Sequence, residues 1–349
     1  MKTYQKNGKE HYLCQIRKKL ILCTPEETVR QEFIQQLVNI YKVPFNFIET
    51  EVLLSNRKRA DILVSKEFKE GRLETPLILI ECKASNVPLT QKVYDQAEGY
   101  DNFLEPEFMI ITNGIETEFY KWDEHIQERR QINELPTFPE IVNLPKLDYS
   151  YYEYPKWTRP NHLNPTQFEI NELSYEIGEA SNPRLYSLFY NLIGLFFDEE
   201  DSPKNLSFSD REFIEDLGVR YITFGNAGGG GWAGDYRSFL VQDKKETEII
   251  SLSIMGKTND KKRGYTMLLV AIDNAETSNL SLQYAIDRFI EKDKEIYSFW
   301  HDGTLTAGNK GRLKNQVVID YVKRKSPKLV KNNKIFLGKL GNSKPFKMG

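Results

Sequence analysis

The chain has 349 residues, with 48 Lys and Arg against 50 Asp and Glu, a formal net charge of −2. At roughly 100–200 residues per domain this length predicts about two domains; 40% apolar and 28% charged residues allow a packed core and exclude default disorder. The balance excludes a uniformly basic nucleic-acid binder, yet the charge is graded: residues 1–150 sum to −4, residues 151–301 to −8 and residues 302–349 to +10.

Residues 10–22 alternate polar and apolar side chains and predict a first strand. TPEETVRQEFIQQLVNIY follows, with Thr24 placed as N-cap, Pro25 at N1, Glu27 completing a capping-box pattern, and Val29, Phe33, Leu37 and Ile40 at helical spacing. Three strands are predicted next, in PFNFIETEVLL, RKRADILVS and LETPLILIECKAS. LTQKVYDQAEGYDNFL reads as a helix, and EFMIITNGIETEFYKWD as two strands around an Asn113-Gly114 turn. Residues 10–125 thus carry an α/β pattern. Residues 135–165 hold six prolines and many aromatics and read as an extended linker. Helices are predicted in FEINELSYEIGEA and RLYSLFYNLIGLFF, and then mainly strands: VRYITFG, YRSFLVQD, TEIISLSIMG, YTMLLVAID, NQVVIDYV and KIFLGKL, with one helix in NLSLQYAIDRFIEKD. The second half is therefore expected to be α+β and mainly β.

No apolar run follows the N-terminal charges, and the longest apolar stretches are about a third of a membrane span, so a cytoplasmic, non-membrane protein is expected. Three cysteines, Cys14, Cys23 and Cys82, fit a reducing compartment, and four scattered histidines with no CxxC argue against structural zinc.

The strongest chemical feature is Asp61, at the start of one predicted strand, followed by Glu81 and Lys83 at the end of the next. Residues two apart on a strand share a face, so Glu81 and Lys83 project together while Cys82 points the other way. Two carboxylates on adjacent strands suit Mg2+, a hard cation that takes oxygen ligands and keeps waters. Such an ion can activate a water against a phosphodiester, with the lysine supplying charge. The competing structural readings are an Asp61 pair with Arg57 or Arg59, a surface ion pair between Glu81 and Lys83, a pure capping role for Glu27 and an exposed helix face at Gln96 and Tyr100.

The pattern D-x19-E-C-K on strands after an acidic helix resembles the PD-(D/E)XK nucleases. PEETVRQEFI, RADILV, LILIECKA, DQAEGY and ITNG, in that order, resemble more closely the nuclease domain at the N-terminus of type I restriction-enzyme R subunits. The resemblance covers residues 24–125. It implies a restriction-endonuclease-like mixed sheet with flanking helices, Mg2+ (with Mn2+ able to substitute) as cofactor, and DNA as substrate in restriction or phage defence. It further implies Asp61, Glu81 and the backbone carbonyl of Cys82 as metal ligands, Glu27 as a supporting carboxylate acting directly or through water, and Lys83 as the catalytic lysine. Gln96 and Tyr100 match the Q-x3-Y element of such nucleases. Ala60 stands where many members have proline. The chain carries no G-x-x-x-x-G-K-[ST] element, so a DNA-translocating motor is not expected within it.

The loop GNAGGGGWAGDYRS contains G-x-G-x-x-G at Gly229, Gly231 and Gly234 but precedes a strand, which favours a hairpin over a dinucleotide site. Trp232 and Tyr236 beside it are candidate stacking groups. The basic end offers Lys323, Arg324, Lys325 and Lys328 as phosphate contacts. His301-Asp302 reads as a turn with an Asx hydrogen bond. The expected organisation is a nuclease domain over 1–140, a linker over 141–165 and a recognition or regulatory domain over 166–349. The expected activity is a metal-dependent endodeoxyribonuclease, with a homodimer compatible with cutting both strands. The alternatives are a non-catalytic nucleic-acid or partner-binding protein on the same fold, and a nuclease gated by a ligand or partner on its C-terminal domain.

Overall fold

The computed structural model describes residues 1–54, 58–69, 72–143, 176–200, 207–208, 211–225, 231–256, 264–273, 281–293, 296–304 and 313–341. The chain divides into two compact units, Met1–Pro155 and Lys156–Gly349.

The first unit opens with a small antiparallel sheet, β1 (Thr3–Lys6), β2 (Lys9–Cys14) and β3 (Lys19–Leu22). The single strand expected over 10–22 is thus two strands, parted by a turn in which Lys18 takes φ +46°. Helix α1 (Pro25–Asn39) follows. The main sheet contains β4 (Ile48–Leu53), β5 (Arg59–Lys69), β6 (Arg72–Cys82), β7 (Phe108–Thr112), β8 (Thr117–Asp123) and β9 (Glu128–Ile132), in that spatial order. Only β6 and β7 are parallel, because helix α2 (Gln91–Leu104) crosses between them; the other connections are hairpins. Asn113 makes the predicted turn, its side-chain oxygen accepting from the amides of Ile115 and Glu116. Gly114 at φ +81° lets the turn close against Val29 of α1.

The sheet is a filled layer between two helices. Val29, Phe33, Ile34 and Leu37 of α1 pack with Ile62, Val64, Ile78, Ile80, Cys82 and Ile110 on one face. Val93, Ala97 and Tyr100 of α2 pack with Ala60, Leu79, Met109 and Ile111 on the other. Ile78, Ile80 and Cys82 therefore alternate with Leu79 along β6, as a strand buried on both faces requires. On β5 the alternation breaks: Ala60 and Ile62 are two apart yet lie in opposite cores. A one-turn helix, α3 (Phe138–Ile141), capped by Thr137 and Glu140, seats Phe138 against Phe47. Beyond Asn143, the predicted linker lies outside the described residues.

In the second unit, α4 (Tyr186–Phe197) carries the long apolar run and buries it, with Leu188, Phe189 and Ile193 fully enclosed. It packs on an antiparallel meander of β10 (Ser207–Phe208), β11 (Arg211–Gly225), β12 (Gly231–Gln242), β13 (Thr247–Gly256), β14 (Thr266–Ile272) and β15 (Ser281–Ala285). Of the helix expected over 168–180, residues 176–180 form a turn and 168–175 lie outside the described residues. The helix expected over 279–293 is also corrected: β15, one helical turn α5 (Ile286–Phe289) and β16 (Ile290–Asp293) occupy it. Pairing of Met267–Ala271 with Ser281–Ala285 wins over local helical spacing there. A second sheet orders β16, β17 (Ile296–His301), β19 (Lys334–Gly341) and β18 (Val330–Lys331). NQVVIDYV, expected as a strand, is the start of helix α6 (Asn315–Lys325), which turns Ile319 inward. The FWHDGT segment makes the expected Asx turn, Thr304 N donating to Asp302 Oδ1 at 2.9 Å. No helix of the described residues is long and apolar enough to cross a membrane.

Candidate active site

Thr24 Oγ1 accepts from the Glu27 amide at 3.1 Å, which fixes the first turn of α1. The reciprocal half of the capping box is not made by Glu27. Its carboxylate, 4% exposed, accepts instead from Arg17 Nη2 at 2.6 Å, from Gln31 Nε2 at 2.8 Å and from Arg30. A buried carboxylate survives only with such partners.

Arg30 is the hub. Its guanidinium, itself buried, meets Glu27, Asp61 Oδ1, Glu51 Oε1 at 2.9 Å and Glu26 Oε1 at 3.4 Å. Burial alone would favour loss of its proton, but the surrounding carboxylates outweigh that and raise its pKa.

Asp61 stands where the sheet forks. The β5–β6 ladder stops at Ile62 opposite Ile80, while Ala60 and Arg59 still pair with β4, and Glu81 and Cys82 still pair with β7. Across the fork Asp61 Oδ2 accepts from the Cys82 amide at 2.7 Å, taking a place the ladder has vacated. The break in alternation at Ala60 belongs to the same departure. Glu51 falls opposite Asp61, between the pairs Thr50–Ile62 and Val52–Ala60, and takes φ +56°. A left-handed non-glycine residue costs of order 1–3 kcal/mol and is held only by its surroundings.

On the other side of the fork, Lys83 Nζ donates to Glu81 Oε1 at 2.7 Å and to Gln96 Oε1 at 3.2 Å. Gln96 Nε2 donates to Glu81 Oε1 at 2.6 Å and to the Tyr100 hydroxyl at 2.8 Å. Glu81, near the end of β6, and Lys83, just past it, do project together; Gln96 of α2 meets them and Tyr100, from the same face of α2, meets Gln96. Tyr100 is 3% exposed, so the pair is not a solvent-facing helix surface. Cys82 is buried in the core under α1, and its thiol is pushed up by burial and then by Asp61.

Glu81 is the informative group. It is 2% exposed, and its Oε2 is buried with no hydrogen-bond partner. Burial, then the charge of Asp61, push its pKa up to about 7, against the opposing pull of Lys83. Lys83 is raised: burial lowers it, but the hydrogen bond and charge of Glu81 more than compensate. Among the described residues, no three His, Cys, Asp or Glu side chains form a ready cage for a metal. The donor set is leaner: one open buried carboxylate oxygen on Glu81, beside Asp61, whose Oδ1 accepts from Arg30 and whose Oδ2 accepts from the Cys82 amide, so that an ion held there would keep most of its waters.

Sequence reasoning missed Glu51 and Arg17, and Arg30 and Gln31 entered it only as letters of the PEETVRQEFI resemblance. Glu51 sits on a predicted strand, and counting the β4–β5 register would have set it beside Asp61.

The remaining candidates lie in the second unit. Lys323, Arg324 and Lys325 are exposed in the last turn of α6, and Lys328 is exposed just beyond it. Gly231–Gly234 belong to β12, paired with β11 as the hairpin reading expects, while 226–230 lie outside the described residues. Trp232 is half-buried opposite Phe224. Tyr236 corrects the expectation: it is 0% exposed, edge-on to Phe224, with its hydroxyl donating to the Trp232 carbonyl. Its ring has no free face for a base.

Residues 25–139 match the family of the type I restriction enzyme R protein N terminus (HSDR_N). The match runs from the first residue of α1 into α3 and takes in the site from Glu26 to Tyr100. No curated protein and no solved structure matches the chain.

Proposed function

We propose that this chain is a Mg2+-dependent DNA endonuclease serving restriction or phage defence, with its active site at the β5–β6 fork on a PD-(D/E)XK-type sheet. The observation that carries the reading is the open, buried Oε2 of Glu81 beside Asp61 and Lys83. The match of residues 25–139 to a restriction-enzyme domain supports it.

Asp61, Glu81 and the Cys82 carbonyl would hold the ion, with Glu27 acting at one remove through Arg30. When bound, Mg2+ supplies activation of a water and neutralises phosphate charge. Lys83, with its pKa raised, is a cation at neutral pH and stabilises the negative charge that develops on the phosphate, rather than taking a proton. Gln96 fixes Lys83 and Glu81 relative to each other with one amide, and Tyr100 anchors that amide. Glu81, pushed up to about 7 by burial, would hold the ion as a carboxylate, so ion affinity would rise with pH through that range. The second unit would recognise the target, and two copies would be needed to cut both strands.

The test is incubation of supercoiled plasmid with the full chain and Mg2+ or Mn2+, alongside Lys83→Ala and Glu81→Gln. Nicking or cutting by the parent and none by either variant is expected. Undiminished cleavage by both variants would sink the assigned site. Calorimetry with Mn2+ alone checks the ion independently: Glu81→Gln should bind it at least tenfold more weakly.

A further inference from the structure

As a strand, NQVVIDYV would put its side chains on alternating faces; as helix α6 it places them differently. At 100° per residue, Lys314, Val317, Tyr321, Arg324 and Lys325 all lie 120° or more around the axis from the inward Ile319. All five are exposed, Val317 at 52% and Tyr321 at 55%. Ile319 is the only residue of α6 that is buried. The helix is held by its inner side: Gly303, at φ +78°, lies so close that a Cβ there would stand 2.6 Å from the Asn315 carbonyl oxygen and 3.0 Å from Ile319 Cγ1.

The surroundings are strongly cationic. Residues 313–341 hold eight basic residues (Lys314, Lys323, Arg324, Lys325, Lys328, Lys331, Lys334 and Lys339) against one acid, Asp320, a net of +7. All eight are exposed. Lys334 meets Glu291, Lys339 lies over Phe336 and Asp320 is tied to Gln316. Cations in the last turn complement the helix dipole, but that needs one or two, not eight. A surface this charged on an otherwise acidic chain fits a polyanion.

We infer that α6 is a docking helix for duplex DNA, its outer face entering a groove while the surrounding lysines and arginine track phosphates. The chemistry favours a duplex over an anionic lipid surface. Within the helix the exposed apolar side chains are Val317 and Tyr321, with Leu313 before it and Leu329 after it; Asp320 and the lysines interrupt them, so they form no continuous apolar face to anchor in a bilayer. A helix of this width fits the major groove, and an aromatic ring among cations suits contact with sugar and base edges. The surface belongs to the second unit and the proposed catalytic site to the first; the inference rests on the proposed function only for the nature of the substrate.

The test uses the full chain in EDTA, so that binding is read without cleavage and the nuclease reading can fail independently. A mixed-sequence duplex of about 25 base pairs is titrated over a salt series. Substituting Lys314→Gln, Arg324→Gln and Lys325→Gln together should weaken binding at least tenfold at 100 mM salt. It should also reduce the log–log salt slope by about 2–3, near 0.9 for each phosphate no longer neutralised. Tyr321→Ala should weaken binding with the slope kept. An unchanged affinity and slope in the triple variant would overturn the inference. So would α6-dependent binding to phosphatidylcholine–phosphatidylglycerol vesicles with none to DNA, or equal binding of a single-stranded oligonucleotide.

Discussion

Arg30→Met removes one side chain and leaves four carboxylates behind. Two of them, Glu27 and Asp61, are 4% and 7% exposed; Glu27 keeps Arg17 as a counter-charge, but Asp61 is left with the Cys82 amide and its charge loses its cation. Truncating one partner of a buried ion pair costs about 3–5 kcal/mol. Glu51 and Glu26, with side chains 27% and 48% exposed, add at most about 1 kcal/mol more because water screens them. Methionine replaces much of the aliphatic volume, so the loss is electrostatic rather than a cavity. For a unit of this size 3–5 kcal/mol corresponds to roughly 6–20 °C in Tm. Differential scanning calorimetry in EDTA at pH 7.5 should resolve that fall in the transition of residues 1–155. A loss below about 1 kcal/mol would refute the assignment of Arg30 as the charge that holds the acids together. A second measurement follows from its pairing with Asp61. If guanidinium and divalent ion neutralise the same carboxylate, Mg2+ should stabilise Arg30→Met more than the parent. Ion at a hundredfold its Kd supplies about 2.7 kcal/mol. Equal increments in both proteins would show that the two cations do not share Asp61.

Three further outcomes are expected. Glu81 keeps its proton to about pH 7 in the folded chain and releases it near 4.5 when unfolded, so the stability tied to that proton is full below 4.5 and lost as pH rises through 7. Glu81→Gln should therefore gain on the parent between pH 5 and pH 8 in EDTA, by at most about 3 kcal/mol, and a gap that does not widen with pH would contradict the burial argument. Gln96→Ala should lower the cleavage rate on the order of a hundredfold while leaving Mn2+ affinity within threefold, because it misaligns Lys83 without removing a ligand; a matching loss of affinity would make Gln96 part of the ion's own shell. Gly303→Ala combines a positive φ with a Cβ 2.6 Å from the Asn315 carbonyl, and should cost roughly 1–3 kcal/mol and loosen α6, read as faster amide exchange there.

Local signals in the first unit are dense and mutually consistent. Thr24-Pro25-Glu27 marks the start of α1, the apolar run before Glu81 marks the buried strand, and Asn113-Gly114 marks the turn. What the sequence hides is register. Glu51 reaches the site because β4 pairs with β5 at one particular offset, set by the hairpin between them, and no motif at Glu51 itself marks it. The same limit explains the second unit. SLQYA has helical-looking spacing but lies beside MLLVA, and the ladder between them decides its state. In α6 the error runs the other way: VVI and YV suggest a strand, but Ile319 alone needs burial and Gly303 receives the helix. Tyr236 has the look of a surface aromatic beside a glycine loop, and only pairing with β11 shows that it lies inside.

The fork between β5 and β6 gives its two acids opposite evolutionary footing. Asp61 closes an amide that the parting strands would otherwise leave open, so selection for folding alone would keep it, and its presence in a chain says little about activity. Glu81 is the reverse. A buried carboxylate with an idle oxygen weakens the apo fold at neutral pH, and glutamine would relieve it. For folding alone, residue 81 would be better as glutamine, whereas residue 61 would not be better as anything that cannot accept from the Cys82 amide.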